Sequence, residues 1–296
     1  MSQRNANVPK RLLIVQCAGL GSDFLAGSRV GVEGLAFRPL DTVFPALTCT
    51  AQASFRTASP PSAHGMIANG LYDRAARRTM FWEQSAALVE GPRIWSNFRA
   101  RGKRVAMLFW QQSLGEDVDV ILSPAPIHKH HGGMIEDCYS KPAGFYARVC
   151  DKVGRKFKLR HYWGPLASAK CGDWIAAATA ELLADSELAP DLCLTYLPTL
   201  DYDLQRFGPA DAKAMAGKPA DARSIAAMRA LADQLNGLTH AAEERGYDIL
   251  VFGDYAIGTV TRPIYPNRML VEVGLMKTRE VKGRLYPDFL ESRAFA

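Results

Sequence analysis

Phe44-Pro45-Ala46-Leu47-Thr48-Cys49-Thr50, continued by Thr57-Ala58-Ser59-Pro60-Pro61-Ser62-Ala63-His64-Gly65-Met66-Ile67-Ala68-Asn69, is the stretch that decides the fold. A hydroxyl, Thr48, stands just after a Phe-Pro turn, and a small-residue, helix-competent run follows it. A Pro-Pro break, a His-Gly pair and an Asn come next. A hydroxyl at a helix N-terminus sits among free backbone N–H groups at the positive end of the helix dipole, a setting that suits a phosphate. An Asn amide returned beside it could donate to a phosphoryl oxygen as charge builds there. The same residues also read as an ordinary loop and helix cap, and spacing alone leaves both readings open.

Outward from this stretch the chain alternates strands and helices. Leu12–Cys17 is a short apolar run that ends in Ala18-Gly19-Leu20-Gly21, the pattern of a buried parallel strand feeding a loop. Arg104–Trp110, Val118–Leu122, Asp191–Leu197 and Asp248–Phe252 read as further strands. Helices are expected over Thr50–Thr57, Trp82–Leu88, Ile94–Arg101, Asp173–Ala184 (capped by Gly172 or Asp173) and Ala220–Arg245. Such alternation argues for a mostly parallel sheet covered on both faces, with ligands gathering at the C-terminal ends of the strands. The loops to inspect are those at Ala18, Thr48, Asp201 and Asp254. Residues 124–165 interrupt the pattern with a histidine cluster and a basic run, and are expected to form a cap or specificity insertion beside the site. Residues 1–296 as a whole are expected to be a single domain that carries this insertion.

The opening stretch resembles the nucleophile region of the type I phosphodiesterase/nucleotide pyrophosphatase branch of the alkaline phosphatase superfamily. There a Pro-Thr-x-Thr turn leads through Thr-Gly-x-x-Pro-x-x-His-Gly to an Asn. Thr48 falls on the nucleophile, Thr57–Gly65 on the second motif and Asn69 on the transition-state donor, with Ala58 where the family has Gly. The resemblance runs from the first strand to Asp254 and implies an alkaline phosphatase-like three-layer α/β/α sandwich. It also implies a phosphoester hydrolase that forms a phospho-Thr48 intermediate on a small phosphorylated substrate.

Relatives of this kind bind two zinc ions through Asp and His. Their first ligand falls here on Ala18, and their Asp-x-x-x-His motif on Asp201-Tyr202-Asp203-Leu204-Gln205. Their Asp-His-Gly motif falls on Asp254-Tyr255-Ala256, and no later histidine follows His240 to serve as a final ligand. Zinc prefers His, Cys and carboxylate ligands. The resemblance therefore implies an altered divalent-metal site built on Asp201, Asp254, Gln205 and Tyr255, holding one ion (Zn, Mn or Mg) or none. An oxygen-rich set suits hard cations better than zinc. Loss of ligands also opens a second reading, a pseudo-enzyme that binds a phosphorylated metabolite or a partner.

His128, His130 and His131 offer either a solvated loop or a basic rim that holds an anionic group of the substrate. Trp163, in His161-Tyr162-Trp163-Gly164-Pro165, offers core packing or a stacking surface for a base or sugar. His64 is expected to make a structural hydrogen bond.

Hydrophobic residues make up 48% of the 296, enough for a sizeable core. The formal charge of +6 fits an anionic substrate without selecting one. No basic run interleaved with aromatics points to nucleic acid, and no apolar run reaches membrane-spanning length. The six cysteines are scattered without a Cys-x-x-Cys, as expected of reduced thiols in a cytoplasmic protein. Lys10 and Arg11 before Leu12-Leu13-Ile14-Val15 have the outline of a signal peptide, but Gln16 breaks the run early, which favours a first buried strand.

Overall fold

A computed structural model describes residues 11–209, 222–258, 260 and 262–296. In chain order the elements begin with β1 (Arg11–Cys17), α1 (Ser22–Ser28), α2 (Thr48–Thr57) and α3 (Pro61–His64). There follow β2 (Gly70–Asp73), β3 (Arg78–Phe81), α4 (Ser96–Arg99), β4 (Val105–Leu108) and β5 (Val120–Pro124). Next come β6 (Ile127–His128), β7 (Met134–Ile135), β8 (Cys138–Lys141), α5 (Phe145–Val153) and α6 (Ala169–Leu183). The chain continues through β9 (Leu192–Leu197), α7 (Thr199–Phe207), α8 (Ala222–Glu243) and β10 (Tyr247–Gly253). It closes with α9 (Pro266–Glu272), β11 (Lys277–Val281) and β12 (Arg284–Asp288).

Two compact units are formed, the first from Met1–Ala68 and Gln84–Gly258, the second from Asn69–Glu83 and Thr259–Ala296. The first unit is built on a six-stranded sheet in the order β10-β1-β9-β4-β5-β8. All neighbours in it are parallel except β5 and β8. The register decides where chemistry can occur. Cys17 stands opposite both Leu197 and Gly253, so β1, β9 and β10 end level with one another. The residues that follow each strand therefore emerge on one edge of the sheet.

Side chains alternate between two covered faces, as the period of a strand requires. Leu13, Val15 and Cys17 of β1 join the cluster that holds Trp174, Ile175, Leu182, Met228, Leu231 and Leu235 of α6 and α8. Ile14 of β1 joins Trp95, Met107, Trp110 and Leu194 on the opposite face, with Phe55 of α2 packed against them. The unit is thus a three-layer α/β/α arrangement. Burying each of these large apolar side chains contributes roughly 1.5–3 kcal/mol relative to exposure.

Several predicted boundaries shift. The helix expected from Asp173 begins at Ala169 behind Ser168, and Cys171 and Gly172 of its first turn are buried. A Cβ on Gly172 would lie 1.9 Å from Thr199 Oγ1. The helix expected over Trp82–Leu88 reduces to one 3₁₀ turn at Ala86–Leu88, and that over Ile94–Arg101 to α4. The expected start of the long helix at Ala220 lies outside the described residues. Within residues 124–165, β8 closes the edge of the main sheet and Phe145, Val149 and Cys150 of α5 enter its core. Asp201, expected in a loop, lies in the first turn of α7.

The second unit consists of two antiparallel hairpins, β2–β3 and β11–β12, together with α9. Tyr72, Phe289 and Phe295 form its aromatic cluster. Asn69 stands at its first residue, where its carbonyl accepts a hydrogen bond from the Trp82 N–H (3.0 Å).

Candidate active site

Thr48 is the first residue of α2, behind Leu47, which supplies no side-chain cap. The first intrahelical bond runs from the Ala51 N–H to the Leu47 carbonyl (2.9 Å), so the preceding amides lack a helical acceptor. Polar anchors fix the helix on the loop that follows β4. Gln52 Oε1 accepts from the Gln111 N–H (2.6 Å), and Gln84 Nε2 donates to Gln111 Oε1 (2.7 Å). Arg56, fully buried in the last turn, donates through Nη1 to the Gln112 carbonyl (2.7 Å) and to Glu116 Oε2 (3.3 Å). Burial lowers the Arg56 pKa to about 10, while Glu116 opposes the shift. Helix α2 ends at Ala58, whose φ of 50° is left-handed. The family glycine at this position is explained by that conformation, which costs an L-residue roughly 1–2 kcal/mol. His64 is buried; its Nδ1 accepts from the Met66 N–H (3.1 Å), leaving Nε2–H to donate to Ser54 Oγ (2.8 Å). Both ring nitrogens are committed to tying α2 to α3, and burial lowers the ring's pKa.

The level ends of β1, β9 and β10 bring Thr48, Asp254 and Asp201 into one constellation. Gly253 lets the chain pass close behind β1, since a Cβ there would lie 2.1 Å from the Leu20 carbonyl oxygen. Asp254 follows at once. Its Oδ2 accepts from Thr48 Oγ1 (3.2 Å) and Gln16 Nε2 (3.0 Å). Its Oδ1 accepts from the N–H groups of Gly19 (2.9 Å) and Tyr255 (2.9 Å). Asp201 Oδ1 accepts from the Tyr255 phenol (2.6 Å), and Gln205 Nε2 reaches both oxygens of Asp201 (2.9 and 2.8 Å). Gln205 can do so because it lies one helical turn along α7.

Burial dominates the electrostatics. Thr48 and Asp254 are each 1% exposed and Asp201 is 9% exposed. Burial pushes the Asp254 carboxyl up to about 7; its hydrogen bonds from Gly19, Gln16 and Thr48 oppose the rise, and the charge of Asp201 adds to it. Burial raises Asp201 as well, against the hydrogen bonds from Tyr255 and Gln205. Burial then the two carboxylates push the Tyr255 phenol far up, so it stays a proton-bearing donor. Cys49, beside Thr48, is raised to about 11 by burial and is an inert packing thiol.

The donor set does not fit a dizinc centre. A carboxylate offers about four lone-pair positions, and all four of Asp254 are taken by protein donors. Gln205 and Tyr255 present an amide N–H and a phenol O–H to Asp201, where imidazole nitrogens would present lone pairs. Ala18 is buried and apolar. Among the described residues no three His, Cys, Asp or Glu side chains gather as a metal site.

The remaining predicted residues lie elsewhere. His128 is in β6, and His130 and His131 are in the turn to β7; all three are exposed. Trp163 is half-buried and packs beside Tyr162 (ring centroids 5.6 Å apart) against the core. Asn69 belongs to the second unit. Gln16 was missed as a site residue: in the sequence it only interrupts an apolar run, yet a Gln inside a central parallel strand is itself a signal of a buried polar partner.

Residues 28–292 match the family model for type I phosphodiesterase/nucleotide pyrophosphatase. A solved structure of phosphonoacetate hydrolase from Sinorhizobium meliloti 1021, in complex with phosphonoacetate, superposes with a TM-score of 0.59 at 19% identity. The match covers 91% of this chain and 64% of that one. Murine ectonucleotide pyrophosphatase/phosphodiesterase 5, in an inactive form in complex with AMP, gives 0.58 at 13% identity, covering 92% of this chain and 64% of that one. The chain thus spans under two thirds of the length of these neighbours, and at such identities the likeness is one of fold. A sequence comparison with curated proteins finds no match. Among the described residues no helix is long and apolar enough to cross a membrane.

Proposed function

The chain belongs to the type I phosphodiesterase/nucleotide pyrophosphatase family of the alkaline phosphatase superfamily, and on that premise we propose that it cleaves a phosphoester or phosphoanhydride through Thr48. The observation that carries this reading is the contact of Thr48 Oγ1 with Asp254 Oδ2 (3.2 Å) at the N-terminus of α2. In the proposed step Thr48 Oγ1 bonds to phosphorus and the bond to the leaving oxygen breaks. The hydroxyl proton passes to Asp254 Oδ2, which in its ionised form is a base within reach. The backbone amides of the first turn of α2 face the phosphoryl oxygens. Water then cleaves the phosphothreonine. Members of the family are typically dependent on divalent metal; no step here is routed through one, since the residues present do not fit it.

The substrate class is a small phosphorylated molecule. Phosphonoacetate and AMP, the ligands of the two structural neighbours, are both anions with tetrahedral phosphorus. The exposed histidines 128, 130 and 131 are suited to a rim for such anions, and Trp163 to a flanking aromatic. A second reading, a binding protein that turns over little, is favoured by one observation: the Thr48 hydroxyl is buried and its partner carboxylate is fully occupied. Turnover of bis-p-nitrophenyl phosphate by the wild type and by Thr48→Ala separates the two. Hydrolysis that is lost in the variant supports the enzyme. Equal rates, or none in either protein with retained binding of a nucleotide, support the binding protein.

A further inference from the structure

We propose that hydrogen bonds within the chain take the place of metal ions at this centre, so that the Thr48–Asp254–Asp201 constellation is held together without a divalent cation. Asp254 receives four donors, two on each oxygen: the backbone amides of Gly19 and Tyr255, the Gln16 amide and the Thr48 hydroxyl. A cation that bound Asp254 would have to displace at least one of them, and a displaced donor in a site this deeply buried finds no water to replace its acceptor. The backbone amides cannot rotate away. Asp201 is bridged on both oxygens by Gln205 and on Oδ1 by Tyr255.

The chemistry runs in one direction at every altered position. Gln205 and Tyr255 replace lone pairs aimed at a cation with hydrogens aimed at a carboxylate. Ala18 removes a ligand and adds no charge. Among the described residues, Gln16 Oε1 is the buried oxygen of this network without a hydrogen-bond partner. One amide carbonyl falls far short of the six or more oxygens that Mg²⁺ and Ca²⁺ take up. Two buried carboxylates left by departed cations would be costly. Here the tyrosine, two glutamines, a threonine and two backbone amides stabilise them instead. The proposal goes beyond the reaction and holds whether or not the site turns over.

The test reads metal and stability directly on the full chain. The purified protein is dialysed against Zn²⁺, Mn²⁺ or Mg²⁺, freed of loose ions, and its metal content is measured by plasma emission spectroscopy. Thermal midpoints are recorded with EDTA and with each ion. The expected result is well under one ion per chain and the same midpoint throughout. A stoichiometric ion, or a midpoint that climbs with ion concentration as binding linkage demands, overturns the proposal. Two conservative variants test the hydrogen bonds themselves. Tyr255→Phe removes one hydroxyl donor from Asp201 and is expected to lower the midpoint in EDTA, with Gln205→Leu, on the exposed side, lowering it less. If neither changes the midpoint, the hydrogen bonds do not hold the carboxylates and the proposal fails. Hydrolysis is not part of the readout, so loss of the catalytic reading and loss of this one are told apart.

Discussion

The knot around Asp254 and the hairpin β6–β7 are two regions of the same unit with opposite resources. The hairpin carries three of the chain's six histidines, the side chains best suited to metal or proton work. It carries them on an exposed turn where no acidic or thiol group joins them into a metal site among the described residues. The knot contains no histidine, only Gln16, Thr48, Asp201, Gln205, Asp254 and Tyr255, yet each has a named partner at hydrogen-bond distance. Titratable residues close in sequence do not make a site. Three level strand ends do, because they deliver residues more than 200 positions apart to one another.

The comparison can be broken most severely at Thr48. Thr48→Ala is expected to reduce hydrolysis of bis-p-nitrophenyl phosphate to the uncatalysed background while the fold persists by circular dichroism; residual turnover near the wild-type rate removes Thr48 from the chemistry. Asp254→Ala leaves two buried amides, Gln16 and Thr48 without their acceptor. It should cost roughly 3–5 kcal/mol in urea unfolding, and a loss below about 1 kcal/mol contradicts the knot as drawn.

A gentler probe is pH. Asp254 titrates at about 7 in the folded chain and near 4 when unfolded, so between those values the folded state binds the extra proton. Its contribution to stability is complete below about pH 4 and is lost as pH rises through about 7. The thermal midpoint should therefore decline across that window, and Asp254→Asn should flatten the decline; an equal decline in the variant assigns it to other groups. The smallest effect belongs to the hairpin. Replacing His128, His130 and His131 together by Ala should leave stability within about 0.5 kcal/mol. A rise in KM for an anionic substrate at unchanged kcat is the expected signature of a rim.

Much of the framework was legible before any coordinates. Five apolar runs read as strands are present near their expected limits, because burial on both faces leaves a continuous hydrophobic signature. The helix behind Thr48 was legible as a small-residue, helix-competent run after the Phe-Pro turn. The edge strand β8 was not, since Cys138–Lys141 is short and carries no alternation that separates it from a loop. Helix α7 was hidden by the expectation of a ligand loop, although Asp201 and Gln205 already stood one turn apart.

By itself, then, the sequence determined that a parallel sheet would form and that Thr48, Asp201 and Asp254 would follow its strands or open its helices. It could not reveal what each carboxylate would be given as a partner. That was decided by tertiary structure, because the donors to Asp254 come from Gly19 and Gln16 on β1 and its following loop, from Thr48 on α2 and from the adjoining Tyr255. A hydrogen bond depends on position to a few tenths of an ångström, and such positions are set only when distant strands come into register.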